Sequence, residues 1–357
     1  MRRLEQPLPH IDIAGLRIGG GAPALIIAEV AQAHDGSLGL AHAFVDEVAK
    51  AGADAIKFQT HIAAAESTLD EPFRVKFSKQ DATRYDYWRR MEFTPEQWSG
   101  LADHARERRL LFLSSVFSVP GLEMLDRLGV PAWKIGSGEI ATPDIHAAAV
   151  QTGRPLLVST GMSSFAEIAE TVAKVRGAGL DLALFQCTSR YPNPLERVGL
   201  NVMDELRQRF ACPVGLSDHS GSPYPALLAL ARGADLLEIH VTFHRGMFGP
   251  DVPASVTFDE LRTIVAARDA FRLMDANPVD KDAEAAELSP MRGVFGKSIA
   301  AVRNLESGSV LQADMLTLKK PGNGISPDQA TSLIGRRLVR AVSCDRLLKY
   351  EDLEPEA

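Results

Sequence analysis

The sequence predicts a (β/α)8 barrel followed by a small, mostly β C-terminal domain. Two observations carry this prediction. Eight short apolar runs, most of them rich in β-branched residues, alternate with stretches of helical periodicity, and the C-terminal part contains an internal repeat. Eight strands that alternate with helices over about 250 residues are typical of a closed parallel barrel. An open doubly wound sheet is the alternative, but no strand is followed by a convincing Gly-x-Gly-x-x-Gly turn.

The eight predicted strands follow one another in chain order. They are ALIIAEV (24–30), DAIKFQT (54–60), LLFLSSVF (110–117), AWKIGSG (132–138), PLLVSTG (155–161), LALFQCT (182–188), PVGLSDH (213–219) and LLEIHVT (236–242). Most intervening stretches have helical period, as in SFAEIAETVAKVRGAG, and close on Gly before the next strand, as helix C-termini commonly do.

Three further segments complete the predicted organisation. Residues 61–109 are too long for one helix, and long insertions of this kind lie over the mouth of a barrel, often as lids. The acidic, turn-rich stretch 274–292 predicts a linker between a barrel at 1–273, which includes an N-terminal hairpin, and a domain at 293–357. In that domain VRNLESGSVLQADML and VRAVSCDRLLKYEDL align without gaps, which predicts a pseudo-twofold unit.

Composition excludes several classes of function. The chain of 357 residues is 45% apolar and 24% charged, with a net charge of -7 and no long basic tract, so nucleic acid and membrane surfaces are not expected partners. Three irregularly spaced cysteines form neither a disulfide framework nor a zinc knuckle. With no long apolar run, the expected location is the cytoplasm.

The C-terminal ends of the predicted strands carry most of the reactive side chains, and the active site of such a barrel lies at this end. They are Glu29, Lys57, Gln59, Ser115, Lys134, Ser137, Glu139, Ser159, Gly161, Ser217, Asp218, His219, Glu238 and His240.

Two lysines, Lys57 and Lys134, lie within otherwise apolar strands. An unpaired buried ammonium costs several kcal/mol unless its pKa falls or an anion meets it. A neighbouring carboxylate such as Glu139 could pair with Lys134 alone, whereas two converging lysines favour an anionic ligand, either a phosphate or a carboxylate. The STGMSS segment at 159–164 adds small hydroxyl residues at a helix start, which suits a phosphate, with a plain helix cap as the alternative.

Two histidines, His219 and His240, end neighbouring strands. Two imidazoles one strand apart can share a divalent metal ion, with Glu29 or Asp251 completing the shell directly or through water. The alternative is a pair of hydrogen-bonded structural histidines.

With these residues assembled, the sequence resembles the sialic acid synthase family of phosphoenolpyruvate-condensing enzymes. The resemblance extends over nearly the whole chain through IIAEVAQAHDGSL, GADAIKFQTH, FLSSVFS, VPAWKIGSGE, LLVSTGMSS, QCTSRYPNP, VGLSDHSG, LEIHVT, GPD and KKPGNGI. It implies a metal-dependent (β/α)8 barrel with a C-terminal antifreeze-like (SAF) domain. In family members that domain covers the active site of the partner subunit in a homodimer, so a domain-swapped homodimer is expected here.

The resemblance also implies roles for individual residues. Phosphoenolpyruvate would contact Lys57, Ser115, Lys134, Ser137, Ser159, Gly161, Ser189 and Ser217. The metal, Mn2+ or Mg2+, would be held by His219 and His240, with Asp218 as a support. The sugar would contact Gln59, Tyr191, Asp251 and Lys320, and the catalytic set would be Glu139, Lys57, Lys134 and Glu29, with Glu139 moving protons.

The implied reaction condenses phosphoenolpyruvate, N-acetylmannosamine or a related 2-acetamido hexose, and water to a nine-carbon 2-keto sugar acid and phosphate. The metal is expected to polarise the open-chain aldehyde, and phosphate leaves by carbon–oxygen cleavage. A 2,4-diacetamido-2,4,6-trideoxyhexose, which gives legionaminate or pseudaminate, is the alternative acceptor. A Schiff-base aldolase that uses Lys134 and a non-catalytic protein that binds sugar or phosphoenolpyruvate are the competing hypotheses.

Four positions depart from the family pattern. Ala33 and Ser189 each stand where asparagine is common, and His244 lies in a TFHR segment that lacks a frequent aspartate. Lys320 replaces an arginine that reaches the sugar's N-acyl group, and lysine cannot reproduce that fork of donors. Since most of these changes surround the sugar, the sequence specifies the reaction type better than the acceptor.

Overall fold

The predicted (β/α)8 barrel is confirmed in the computed structural model, which describes residues 8–355. The chain divides between Ala276 and Asn277 into two compact units. The barrel strands of the first unit are β3 (Leu25–Ala31), β4 (Ala55–Thr60), β5 (Leu111–Val116), β6 (Trp133–Ile135), β7 (Leu156–Ser159), β8 (Leu182–Cys187), β9 (Val214–Asp218) and β10 (Leu236–Thr242). A hairpin, β1 (His10–Ile13) and β2 (Leu16–Gly19), precedes them, and β11 (Val256–Thr257) pairs with the C-terminal end of β10.

All eight predicted strands therefore form, and they pair in parallel in chain order. The sheet closes because β10 pairs with β3 on one side and with β9 on the other. This closure rules out the open doubly wound sheet. Strand β6 is shorter than predicted, since the glycines after Ile135 leave the sheet and form a turn.

The helices follow their strands as the periodicity predicts. They are α1 (Leu38–Ala51), α2 (Ala63–Glu66), α3 (Arg84–Met91), α4 (Pro95–Glu107), α5 (Val119–Leu128), α6 (Pro143–Gln151), α7 (Phe165–Gly177), α8 (Asn201–Phe210), α9 (Tyr224–Ala231) and α10 (Phe258–Asp275). Local chemistry fixes several ends: α1 stops at Gly52, whose φ of 81° suits glycine, and α10 starts with a capping box between Thr257 and Glu260. Among the described residues, no helix is long and apolar enough to cross a bilayer.

The inward face of the barrel changes character along each strand. Because side chains alternate, Ala55, Leu113 and Leu157 point into an apolar cluster at the N-terminal half, and the inward positions two residues later are polar. The same cluster contains Ile11, Ile13 and Ile18 of the hairpin, so β1 and β2 close the N-terminal end of the barrel. Polar side chains are thereby concentrated at the C-terminal end.

The second unit confirms the internal repeat. Its strands are β12 (Ser298–Ala301) and β13 (Leu316–Lys319), and its helices are α11 (Lys281–Glu287), α12 (Ser289–Phe295) and α13 (Ala330–Leu333), so two short helices lie within or across the segment interpreted as a linker. Leu305 and Val342, which occupy equivalent positions of the two repeats, exchange both backbone hydrogen bonds at 2.9 and 2.8 Å. Such reciprocal pairing is what a pseudo-twofold axis between the repeats produces.

Candidate active site

A cavity of about 320 Å3 opens at the C-terminal end of the barrel and gathers most of the predicted site residues. Its predicted lining residues are Glu29, Lys57, Gln59, Ser115, Lys134, Ser137, Ser159, Ser189, Tyr191, Ser217, His219, His240 and Asp251. For the lining residues that lie on strands, the inward position follows from the strand alternation described above. The others follow strand ends, and Ser137, Ser189, Tyr191 and Asp251 lie in the loops at the C-terminal end of the barrel.

The two buried lysines converge on one carboxylate, Glu238. Its two oxygens lie 3.8 Å from the Lys57 ammonium and 3.5 Å from the Lys134 ammonium, and one of them accepts a 3.0 Å hydrogen bond from Ser217. Lys57 also pairs with Glu29 at 2.8 Å. The expected carboxylate partner of a buried lysine thus exists, but for Lys134 it is Glu238 rather than Glu139, because Glu238 shares the barrel interior with it.

Burial and charge act against each other in this cluster. Burial raises the pKa of Glu29 to about 7 despite the nearby Lys57. For Glu238, burial is outweighed by Lys134 and Lys57, which lower the pKa of that carboxyl. Burial lowers the pKa of Lys134, while at Lys57 the two glutamates outweigh burial and raise the pKa of the ammonium. Glu29 is therefore the member of the cluster poised to exchange a proton near neutral pH.

Hydroxyl groups surround the lysines. Lys57 donates to Ser115 at 2.9 Å and Lys134 donates to Ser159 at 2.6 Å. At Gly161, the backbone N–H donates to the Ser137 hydroxyl at 3.0 Å. A Cβ at Gly161 would lie 2.5 Å from the Ser189 hydroxyl oxygen, so only glycine lets the chain pass here.

The two histidines lie together as predicted, with ring centres 5.1 Å apart. His219 Nδ1 faces the carbonyl oxygen of Thr188 at 3.1 Å, which favours a proton on Nδ1 and leaves Nε2 to accept a 2.9 Å hydrogen bond from Tyr191. The Asp218 carboxylate instead accepts from Ser220 at 2.7 Å. The support expected from Asp218 therefore comes from the Thr188 carbonyl, because Asp218 alternates to the other side of its strand.

An arginine of the insertion, Arg74, joins two of the predicted sugar contacts. Its guanidinium lies 4.2 Å from the centre of the Tyr191 ring and donates a 3.0 Å hydrogen bond to Asp251. Arg74 also lines the cavity. The insertion thus contributes directly to the mouth of the cavity.

Three predicted site residues do not line the cavity, namely Glu139, Lys320 and Gly161, and Gly161 adjoins it through its bond to Ser137. Glu139 faces a neighbouring chamber, where it accepts a 2.8 Å hydrogen bond from Thr142 and where burial raises the pKa of its carboxyl. This chamber shares Gln59 and Trp88 with the cavity. Lys320 belongs to the second unit, where its ammonium lies 5.5 Å from the centre of the Phe295 ring.

Comparison with known proteins identifies the family. The sequence matches the NeuB family over residues 44–278 and the SAF domain over residues 296–354. The chain belongs to the NeuB family. It is 32% identical to the N,N'-diacetyllegionaminic acid synthase of Legionella pneumophila, over 94% of this chain and 96% of that protein. It is 30% identical to the human N-acetylneuraminate-9-phosphate synthase, over 94% of each chain.

A solved structure supports the same assignment. The N-acetylneuraminic acid synthetase of Leptospira borgpetersenii, crystallised with citrate, superposes with a TM-score of 0.70 at 28% identity and covers 82% of this chain and 99% of that chain. NeuB-family relatives with named activities are synthases of sialic, legionaminic and pseudaminic acids, which makes this chain a member of an enzyme family of nonulosonic acid synthesis.

The histidine pair can be tested against the metal that the NeuB family implies. Burial lowers the pKa of His240 well below its ordinary value, so the ring is neutral, and its Nδ1 has no hydrogen-bond partner among the described residues. The carbonyl behind His219 Nδ1 favours a tautomer with the lone pair on Nε2, where it accepts from the Tyr191 hydroxyl and would face an ion only once that hydroxyl turns away. Within residues 8–355, however, no three His, Cys, Asp or Glu side chains converge as a complete ligand set. The two imidazoles would therefore fit a divalent ion as a partial ligand set.

Sequence reasoning placed Glu238 among the polar strand-end residues but gave it no role, and it did not name Arg74. A signal existed for Glu238, since it precedes His240 by two positions in LLEIHVT and must share its face of the strand. Arg74 had no such signal, because residues between α2 and α3 form no regular element whose period could place them.

Proposed function

We propose that this NeuB-family chain condenses phosphoenolpyruvate with an N-acyl amino sugar and water to a nine-carbon 2-keto sugar acid and phosphate. The observation that carries the proposal is the convergence of two buried ammonium groups on Glu238, beside two imidazoles in a single cavity. An anionic substrate can therefore bind at the ammonium groups, and a carbonyl-bearing substrate can bind beside it at the imidazoles.

In this proposal the lysine cluster is the binding site for phosphoenolpyruvate. This substrate carries a carboxylate and a phosphate of about -1.5 to -2 charge. Lys57 and Lys134 already face carboxylates, so an incoming anion competes with Glu238 and Glu29 for them. Because the pKa of Glu29 is raised to about 7, proton uptake there releases Lys57 to the ligand. Ser115, Ser159 and the Gly161 N–H group add neutral donors.

In this proposal the acceptor sugar binds in the cavity next to the histidines, with Gln59, Tyr191 and Asp251 as its contacts. A divalent ion, Mn2+ or Mg2+, bound by His219 and His240 would supply Lewis-acid polarisation of the aldehyde oxygen. The Tyr191 hydroxyl donates a hydrogen bond to His219 Nε2, so a sugar or an ion can bind at this nitrogen only after the hydroxyl turns away.

The reaction balances as follows. C3 of phosphoenolpyruvate bonds to the aldehyde carbon, and water adds to the resulting cation at C2. One proton of the water reaches the aldehyde oxygen, and the other leaves with phosphate when the C2–O bond breaks. Glu29 and Glu139, both with a raised pKa, are the carboxyl groups able to carry these protons.

We propose N-acetylmannosamine or a related 2-acetamido hexose as the acceptor, with a 2,4-diacetamido-2,4,6-trideoxyhexose as the second candidate. The second candidate gains support from the 32% identity with the legionaminic acid synthase. We also propose a cytoplasmic homodimer, as the family resemblance implies, which size-exclusion chromatography with light scattering tests.

The first experiment measures phosphate release by EDTA-treated protein with phosphoenolpyruvate, Mn2+ and a panel of 2-acetamido hexoses. We expect release that requires both the metal and one sugar and is abolished by His219→Ala. Asp181→Asn, an exposed site before β8 at the opposite end of the barrel, is the control for handling and folding. Failure of release with all sugars would refute the proposed reaction, and borohydride trapping of Lys134 with pyruvate would favour the Schiff-base alternative.

A further inference from the structure

A bulge at the end of β3 turns one more polar side chain into the cavity. The pairing of β3 with β4 is regular as far as Glu29, but the next paired residue is Ala31, so Val30 is an extra residue in the strand. Ala31 has a φ of 47°, in the left-handed region that favours glycine. On a regular strand Gln32 would point to the same side as Val30, away from the barrel axis. The bulge reverses this alternation, and Gln32 lines the cavity.

Gln32 begins a chain of three hydrogen-bonded side chains. It is 3% exposed, and its Nε2 donates to Gln59 Oε1 at 3.1 Å. Gln59 Nε2 in turn donates to Glu29 Oε1 at 2.8 Å. The other oxygen of this carboxylate pairs with Lys57. Because an ionised carboxylate only accepts hydrogen bonds, Gln59 turns its nitrogen to Glu29 and its oxygen to Gln32, which supplies the N–H group that this oxygen needs.

The other end of the Gln32 amide carries no such bond. Its Oε1 is buried and accepts no hydrogen bond from any residue that the structure describes. A buried acceptor without a donor destabilises the folded state, whereas an apolar side chain of the same length would not. Packing alone therefore does not account for a glutamine at this position. What glutamine adds is the N–H group that it donates to Gln59.

Gln59 connects this chain with the cavity. It is half-buried and lines the cavity, and it is one of the side chains proposed to contact the acceptor sugar. An amide nitrogen carries two hydrogens. Gln59 donates one of them to Glu29, and within the described part of the chain the other has no acceptor. With its oxygen held by Gln32, Gln59 therefore has an N–H group left for a ligand.

From these contacts we infer that Gln32 is a positioning residue for the acceptor sugar, because it holds the Gln59 amide with one N–H group on Glu29 and the other available to a sugar oxygen. The inference rests on the proposed function. Gln32 does not have to touch the sugar, since its effect passes through Gln59. Without the bond from Gln32, the Gln59 amide can rotate about its last side-chain bond and lose this orientation.

The first test separates folding from binding. Gln32→Met keeps the length of the side chain and removes both the donor and the unpaired acceptor. We expect its melting temperature to stay within about 2 °C of that of wild type, because an apolar group suits the buried position and water can reach the Gln59 oxygen at the cavity wall. A residue with a purely structural role would instead lose stability on substitution.

Binding is measured by calorimetry on the full-length protein with Mn2+. The titrants are N-acetylmannosamine and a 2,4-diacetamido-2,4,6-trideoxyhexose, and the sugar that binds wild type more tightly is used for the variants. We expect Gln32→Met to weaken its binding about three- to tenfold, which corresponds to one hydrogen bond. The affinity for phosphoenolpyruvate should change by less than about twofold, because the lysines and hydroxyl groups proposed to bind it are intact.

Two further variants show whether the effect passes through Gln59. In a Gln59→Met background, Gln32→Met should cause no further loss of sugar affinity, because the group that it positions is absent. Gln151→Met makes the same chemical change at an exposed site at the end of α6 and should leave both affinities unchanged.

Four results would overturn the inference. They are unchanged sugar affinity in Gln32→Met, an equal loss in the Gln59→Met background, a melting temperature lowered by more than the stated margin, and failure of wild type to bind either sugar. Sugar binding of the expected kind without phosphate release would instead refute only the proposed reaction.

Discussion

Replacing Glu238 by glutamine tests the buried charge cluster directly. The amide has nearly the shape of the carboxylate and keeps an oxygen for Ser217, but it carries no charge. Lys57 would retain Glu29 at 2.8 Å, whereas Lys134 would keep only the Ser159 hydroxyl at 2.6 Å. The substitution therefore leaves one buried ammonium without a counter-charge.

The expected cost follows from the burial of all the partners. Removing one member of a buried ion pair costs about 3–5 kcal/mol. Burial already lowers the pKa of Lys134, so this lysine can lose its proton and limit the cost to the lower end of that range. With a shift of about 2–4 °C per kcal/mol for units of this size, the barrel should melt roughly 6–12 °C lower.

The assay is thermal unfolding of wild type and Glu238→Gln, each with and without phosphoenolpyruvate. The ligand should restore more stability to the variant than to wild type, because its charge replaces the missing carboxylate. Asp181→Asn is the charge-matched control. An unchanged melting temperature, or equal stabilisation of both proteins by the ligand, would show that the cluster is not electrostatically coupled as described.

Three further predictions follow from the same geometry. Burial raises the pKa of Glu29 from 4.5 to about 7, so the folded state binds a proton that the unfolded chain releases. Wild type therefore loses this contribution to its stability as the pH rises from 4.5 to 7. The melting temperature of Glu29→Gln, measured relative to that of wild type, should rise between about pH 5 and pH 7.5. Gly161→Ala should raise the KM for phosphoenolpyruvate about 10-fold or more, since its Cβ would push the Ser189 hydroxyl away; an unchanged KM in steady-state assays would contradict this. Arg74→Ala should raise the KM for the sugar about 3- to 10-fold, with the KM for phosphoenolpyruvate unchanged, because it frees the Tyr191 ring.

Most of the fold could be predicted because it depends on local patterns. Each barrel strand is a short apolar run followed by a polar inward residue, and each helix has a periodic face, so the order and number of elements can be read directly. The pairing of Leu305 with Val342 was predictable in kind from the repeat. The short extent of β6 was not, since the glycines after Ile135 are compatible with both a strand end and a turn.

From the residues alone, the site could be predicted only where strand alternation determines it, whereas the loop residues Ser189, Tyr191 and Asp251 were expected only from the family resemblance. Lys57, His219 and His240 lie at strand ends and reach the cavity as expected. The partner of Lys134 could not be chosen in the same way, because Glu139 is near it in sequence and Glu238 is near it across the barrel. Which carboxylate pairs with Lys134 depends on closure of the sheet into a barrel, and closure involves all eight strands together.

The cluster of Lys57, Lys134, Glu29 and Glu238 implies how the cavity must work. Because the lysines already have carboxylate partners, the barrel folds without requiring an anion to neutralise its interior. Under the proposed function, an incoming phosphoenolpyruvate would therefore exchange with an existing ion pair instead of entering an unpaired cationic pocket. The free energy of its binding is then a small difference between two strong interactions, and protonation of one carboxylate shifts that difference. Since the pKa of Glu29 is about 7, this exchange is most sensitive to pH near neutrality.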